Sequence, residues 1–526
     1  MKRILTITLF VSALIMTSSC DDGLEELNEN PNNPEFVLTN TIFNYGTKRY
    51  SDITRDEFNM GRLDLNWMEY FGQTAYADED RYLYRETSAT SIYQNSYFIA
   101  TEFKTIIDLN LDPETAPIVA SVGNNENQIA ASRIMLACIF SDLTNFFGDV
   151  PYYSYGTDDP DFQALQVDEI KSPVFASQQK IYADILKELR ESADMINVEE
   201  PVFTKGDNIF NGDALKWKKF ANSLILRIAN RLKGVDAGTA NSAIAAAIAS
   251  GIMTSNDDNA IQLYETSDAN ASPFWVAFIG RTDFAVAAPF VDLLKGKTGK
   301  YGADPRLFEM VAPKEASINS IKAGDYETSL DQNDYQGIPF AFPVTNLLPR
   351  STYSYMSSKV LRPDFGSVLM EYAEVQFLLS EINNFDQTAY ENGVRASMEK
   401  WGVPTAKIDA FVANLPAANL ENVITQKYVA LYMQAHEAWA EYRRTGFPNT
   451  DILLLPGESY TLPPDQAAAS KLTTYEFKAA PNSTDLPFRI RYPQTLQTLN
   501  GENLSNAISK LPNGDTILSK LFWDVN

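Results

Sequence analysis

Apolar side chains return at three- and four-residue intervals in one segment of this chain after another, a spacing that an α-helix converts into a buried stripe. The first half carries it in Asn59 to Phe71, Ser91 to Leu111, Asn127 to Phe147, Ser177 to Ile196 and Asp213 to Lys233. Leu369 to Ile382, Asp386 to Trp401, Lys407 to Asn414 and Ile424 to Thr445 repeat it in the second. In the fourth segment Ile181, Ile185, Leu189 and Ala193 keep the step, while Lys180, Lys187, Glu188 and Glu191 lie off it. Trp217, Phe220, Leu224, Ile228 and Leu232 form the buried face of the fifth, whose Lys218, Lys219, Arg227 and Arg231 read as a solvated face. Two stretches near 296–366 and 446–500 break the period with Gly, Pro, Ser, Asp and Tyr. They read as long ordered loops, the first with a short hairpin. The pattern predicts a mostly α fold, a single domain over residues 36–526 in which helix pairs stack and loops build a surface, without a strict sequence repeat.

Composition narrows the chemistry. Lys and Arg total 43 against 68 Asp and Glu, a net charge of −25, so nucleic acid and anionic headgroups are poor partners. The single histidine, His436, and two cysteines exclude an HExxH zinc site and a cysteine-rich metal cluster, and any histidine-based triad must pass through His436. That residue sits at the edge of a helical stripe with no nucleophile nearby, which suits a hydrogen-bonded packing role. Glu371, Glu374, Arg443 and Arg444 read as interhelical ion pairs, and Cys138 as a small buried hydrophobe. The GKTGK at Gly296 imitates the end of a phosphate loop, but Val291 stands where the opening glycine belongs, so it reads as a turn. No GxSxG, GxGxxG or CxxC is present. Paired carboxylates at glycosidase spacing stay open, because sequence does not measure their separation.

The N-terminus announces export. Lys2 and Arg3 precede an apolar run from Ile4 to Met16, too short to span a bilayer, and Thr17, Ser18 and Ser19 lead to Cys20. Residues 1–19 read as a signal peptide. The approach to Cys20 resembles a bacterial lipobox, with Thr17 where leucine is usual, and implies acyl chains on Cys20 that hold the mature protein to outer-membrane lipid. Residues 20–35, acidic and rich in Asn and Pro, then form a tether.

Aromatic residues are the remaining lead, with 6 Trp, 26 Tyr and 30 Phe. Trp67, Trp217, Trp401 and Trp439 lie on stripes and belong to the core. Trp275 falls in the loop ASPFWVAFIGRTDF beside Arg281 and Asp283, where a flat apolar face and hydrogen-bonding groups suit a neutral polar ligand such as a sugar. Tyr76, Arg81 and Tyr82 in YADEDRYLY repeat the combination, as do Tyr353 and Tyr355. For each, packing onto the helices is the competing reading. Asp78, Glu79 and Asp80 lack EF-hand spacing and read as solvated acids, so no metal and no cofactor is expected.

The tether LNENPNNPE, WMEYFGQTAY, MLACIFSDLTNFFGDVPYY, WKKFANSLILRIANRL, RTDF, MEYAEVQFLLSEI and QAHEAWAEYRRTGFP together resemble the SusD/RagB family of nutrient-binding outer-membrane lipoproteins, in order from Leu27 to about Trp523. One departure is Gln497, where glutamate is expected, with consequences for local packing. The resemblance implies a SusD-like fold of four tetratricopeptide-like helix pairs against a loop-rich ligand-binding part. It further implies a lid over a SusC-like TonB-dependent transporter, capture of an oligosaccharide or peptide, and no catalysis.

From residues and resemblance together, the expected mechanism is reversible capture in an aromatic groove and lid closure onto the transporter. The acidic surface favours a neutral or cationic ligand. A surface glycoside hydrolase on a helical scaffold and a protein-interaction solenoid are the competing classes. The anchor is directly testable: Cys20→Ala is expected to remove the acyl increment from the intact mass, and an unchanged mass would refute it.

Overall fold

Caps and stripes place the helices. The computed structural model describes residues 36–56 and 58–525; the expected signal peptide, Cys20 and tether lie outside them. Helix α1 (Thr39–Thr54) packs on α2 (Glu86–Leu111), α3 (Asn125–Phe147) on α4 (Gln178–Met195), and α5 (Ala214–Leu232) on α6 (Ala237–Ser250). The eight-residue α7 (Pro273–Gly280) precedes the loop-rich region, after which α8 (Tyr372–Ile382) packs on α9 (Gln387–Trp401). Helices α10 (Thr405–Val412), α11 (Leu420–Ala430) and α12 (Ala435–Thr445) complete the helical body. Ser177, Asp213 and Asp386 cap α4, α5 and α9, each side chain accepting a first-turn N–H that would otherwise go unpaired. The α5 stripe from Trp217 to Leu232 is buried as its spacing predicts. Helix α3 is enclosed almost all round, with Cys138 inside, and Trp67, Trp217, Trp401 and Trp439 are all core residues.

Two helices escape the apolar pattern. In α1 the buried positions include Thr39, Asn40, Gly46, Thr47 and Ser51, and a Cβ at Gly46 would meet the Phe103 ring at 3.0 Å. Close approach of α1 and α2 therefore depends on small residues, which hydropathy does not register. Helix α6 buries only Ala240, Ile244 and Ala247.

Elsewhere the pattern overreaches. Asn59 to Phe71 is a 3₁₀ turn (Met60–Arg62) and a single helical turn (Asp64–Trp67), ended by Glu69 at φ +55°, before strand β1 (Phe71–Gln73). Ile424 to Thr445 is broken between α11 and α12 by Met433 at φ +73°. The break lets Tyr428 stack on Tyr70 at 4.6 Å and Tyr432 on Phe290 at 5.0 Å. Besides β1 there are β2 (Ala260–Gln262), β3 (Phe284–Val286), β4 (Ser367–Met370), β5 (Ser459–Thr461) and β6 (Thr474–Glu476), paired antiparallel as β1–β3, β2–β4 and β5–β6. The hairpin expected in 296–366 does not form among the described residues; the β5–β6 ladder lies instead inside the second irregular stretch.

The basic residues of α5 correct the sequence reading most sharply. Arg227 and Arg231 are buried, not solvated. The Nε of Arg227 donates to Glu374 of α8 at 2.7 Å, and the Nη2 of Arg231 to Glu437 of α12 at 2.7 Å. Lys427 of α11 lies 3.3 Å from Glu441, and Arg444 reaches both Glu441 and Glu381 at 2.7 Å. Burial pushes the Glu437 carboxyl up, but Arg231 and Arg227 outweigh it and hold the group below its ordinary range. Removing one partner from such a buried pair costs about 3–5 kcal/mol, since the other charge is left without compensation. Glu371 pairs with Lys400 as an interhelical contact, whereas Arg443 donates to the backbone oxygens of Asn145 and Phe488, both at 2.9 Å.

His436 is buried and accepts from Nη2 of Arg55 at 3.2 Å. Burial first, then the Arg55 charge, holds its pKa well below the ordinary value, so the imidazole is neutral in the native chain. Below about pH 6.5 the unfolded chain takes up a proton that the native chain refuses, so this residue's contribution to stability falls as pH falls. Relative to His436→Gln, the natural chain is expected to lose about 1.4 kcal/mol between pH 7.5 and 5.5, read from urea unfolding; a pH-independent difference would contradict a neutral imidazole.

Candidate ligand-binding surface

The short β1–β3 ladder assembles the surface. Phe71, Gly72 and Gln73 pair with Val286, Ala285 and Phe284, and the pairing extends outward as Thr74 N–H donates to Asp283 O at 2.9 Å. The Thr74 hydroxyl donates to Thr282 O at 2.7 Å. Two loops some two hundred residues apart are thereby held edge to edge. Tyr76 Oη donates to Asp283 Oδ2 at 3.3 Å, and Arg281 Nη2 lies 2.7 Å from the same oxygen. That hydrogen bond holds the Arg281 guanidinium above its ordinary pKa. Arg281 also lies 5.4 Å from the centre of the Phe58 ring.

Trp275 stands on α7, not in a loop, because Pro273 occupies the first turn, where a missing N–H costs nothing. Its indole Nε1–H donates to Asp268 Oδ1 at 2.9 Å, and the ring is partly exposed beside exposed Val276 and Ile279. Lys322 Nζ sits 4.7 Å from the ring centre and donates to Phe278 O at 3.1 Å. The indole is therefore pinned at one edge and partly covered by an ammonium group. Such a plate offers apolar area at little conformational cost.

The tyrosines divide. Tyr76 is partly exposed, and so is Arg81, which pairs with Asp78 at 2.9 Å. Tyr82, Tyr353 and Tyr355 are only 1%, 6% and 2% exposed, so their rings lie in the packed interior and are not ligand platforms. Tyr82 meets Phe477 edge-on at 5.2 Å, at φ +65°. Tyr355 supports the surface from behind: its Oη donates to Thr282 O at 3.3 Å, and the Arg350 guanidinium lies 4.1 Å over its ring. Desolvation lowers the Arg350 pKa. Glu79 and Asp80 are buried rather than solvated, accepting from Gln73 Nε2 at 2.6 Å and Gln73 N–H at 2.8 Å. No cluster of metal-ligating side chains occurs among the described residues. Asp268, Lys322, Arg350 and Phe58 join the site without having been singled out from sequence. Only Asp268, seven residues before Trp275, left a local trace.

A family model described as "Starch-binding associating with outer membrane" matches residues 30–464, and one described as "Susd and RagB outer membrane lipoprotein" matches 416–524. The chain belongs to this SusD-like family of outer-membrane lipoproteins. Among solved structures it is similar to a chitin-binding protein, with TM-score 0.71 and 23% identity over 93% of this chain and 100% of the other. A SusD homologue from Bacteroides uniformis gives 0.68 and 21%, covering 92% of this chain and 99% of its own. A chitin-binding SusD homologue from Flavobacterium johnsoniae gives 0.68 and 20%, with the same coverage. At these identities the structures show the shared fold. No curated protein matches the chain.

Arg281 is exposed whereas the Asp283 side chain is only 14% exposed, so the arginine side of the pair is expected to contribute little to folding. Arg281→Ala should leave the thermal midpoint unchanged; a clear drop would make the pair structural.

Proposed function

We propose that this protein captures an oligosaccharide at the surface formed by Trp275, Tyr76, Arg81, Arg281 and Asp283, and passes it without catalysis to a SusC-like TonB-dependent transporter. Acyl chains on Cys20 hold it in the outer membrane, facing the exterior. The observation that carries the reading is the Trp275 plate, pinned by Asp268 and met by Lys322, on the helix that leads into Arg281 and Asp283 in a chain of this family. A sugar ring presents an apolar face and a hydroxyl rim, and the site supplies a partner for each. Arg281 offers N–H donors and Asp283 an acceptor, already oriented by their mutual contact and by Tyr76. The chitin-binding proteins of the same fold support a glycan over a peptide. Handing over to a transporter requires only reversible binding, which suits an open surface better than an enclosed cavity.

Calorimetric titration of the soluble chain from Asp21 with starch- and chitin-derived oligosaccharides, followed by product analysis, tests this. Saturable binding of intact sugar is expected, weakened about tenfold or more by Trp275→Ala, the loss expected for one aromatic anchor. Cleaved product would establish a hydrolase instead. Binding unaffected by Trp275→Ala would remove the site assignment.

A further inference from the structure

A second cleft lies away from Trp275, along the outer face of α2. Thr87, Thr90, Gln94, Phe98 and Thr101 follow one another at three- and four-residue spacing on that face, a line about 21 Å long. The facing wall is the C-terminal segment from Gln494 to Asn500, which includes the helical turn Leu496–Leu499. Two stretches of about 470 and about 490 Å³ adjoin, since Gln94 and Thr495 line both. Neither shares a residue with the Trp275 surface. At the Glu86 end, Arg491 pairs with Glu86 and lies 5.0 Å from the centre of the Tyr84 ring.

The two stretches differ in chemistry. Thr87, Thr90, Gln94, Gln494 and Thr495 line the first, with no side-chain hydrogen-bond partner within the described residues, beside Ser91 and Asn95, which bond to each other, Asn95 also to Arg49. The second is apolar: Phe98, Val167 and Leu499 are 72%, 62% and 65% exposed around Tyr97, Leu165 and Leu496. Exposed apolar side chains converging on one groove mark a binding surface. Among the described residues Glu86 and Lys171 are the only charged ones lining either stretch, in a chain where 68 of 526 residues are acidic. The cleft is thus a neutral strip on a strongly anionic molecule.

We propose that this cleft is a second binding site, for an extended neutral saccharide chain. A docking helix would bring one continuous apolar stripe, and half of the cleft would leave that stripe against hydroxyls and amides. A glycan carries apolar ring faces and hydroxyls in every unit, so it matches both halves, and an uncharged chain needs no counter-charge from the walls. The volume of each stretch is within the range of small-molecule sites.

The test titrates long starch- and chitin-derived oligosaccharides into the chain from Asp21 carrying Trp275→Ala, with and without Gln94→Ala and Phe98→Ala together. Both added substitutions are at exposed positions, and melting curves verify the fold. The expected result is two sites in the natural chain, one in Trp275→Ala, and at least a tenfold loss at that remaining site in the triple variant. Loss of all binding in Trp275→Ala overturns the second site and leaves the first. Remaining binding that ignores the double substitution overturns it as well, as does a natural chain that binds no saccharide. An apolar peptide bound in the cleft and lost in the double variant would overturn the ligand class.

Discussion

Buried charge joins the two halves of this chain. Arg227 and Arg231 project from α5 in the first half and meet Glu374 and Glu437 from α8 and α12 in the second, with Lys427, Glu441, Arg444 and Glu381 extending the contact. Apolar stripes bring helices together with some latitude in register. A guanidinium beside a carboxylate in a dry interior has none, because a misplaced charge is left without either water or partner. The helix pairs are therefore set relative to one another at this junction, and the loops they carry inherit the setting.

The candidate ligand surface is downstream of it. Strand β1 follows directly on the turn that holds Trp67 and Tyr70, and both rings pack on α11 and α12 through Tyr428 and Trp439. Strand β3 leads into Phe290, which stacks on Tyr432. The six residues of the β1–β3 ladder are buried at every position, so their hydrogen bonds are shielded from water although few. Tyr76, Arg281 and Asp283 lie with Thr74 and Thr282 just beyond that buried ladder. Their geometry is fixed by an aromatic layer buried behind them.

Sequence made the long helices legible, because a stripe such as Ile181 to Ala193 obeys one period over many turns. It failed where close packing replaces hydrophobicity, as at Gly46 against Phe103, and where one residue of positive φ interrupts a good period, as at Met433. The α5 arginines show the limit on charge: no local pattern tells a solvated Arg227 from one that meets Glu374 some hundred and fifty residues later. At the candidate site, Trp275, Arg281 and Asp283 stand out in the sequence as a short polar-aromatic cluster. The role of Tyr82 does not, since the same aromatic-rich loop sends Tyr76 outward and Tyr82 inward, a choice made by backbone conformation at φ +65°.

The pairing of Thr74 with Asp283 has a consequence for the newly made chain. Tyr76 and its carboxylate partner belong to segments separated by a contour of 207 residues, and nothing joins them until the intervening helices have packed. An intermediate with either half folded alone carries the side chains of the site without the site. The candidate surface is consequently an all-or-none property of the finished molecule, absent from a chain still maturing.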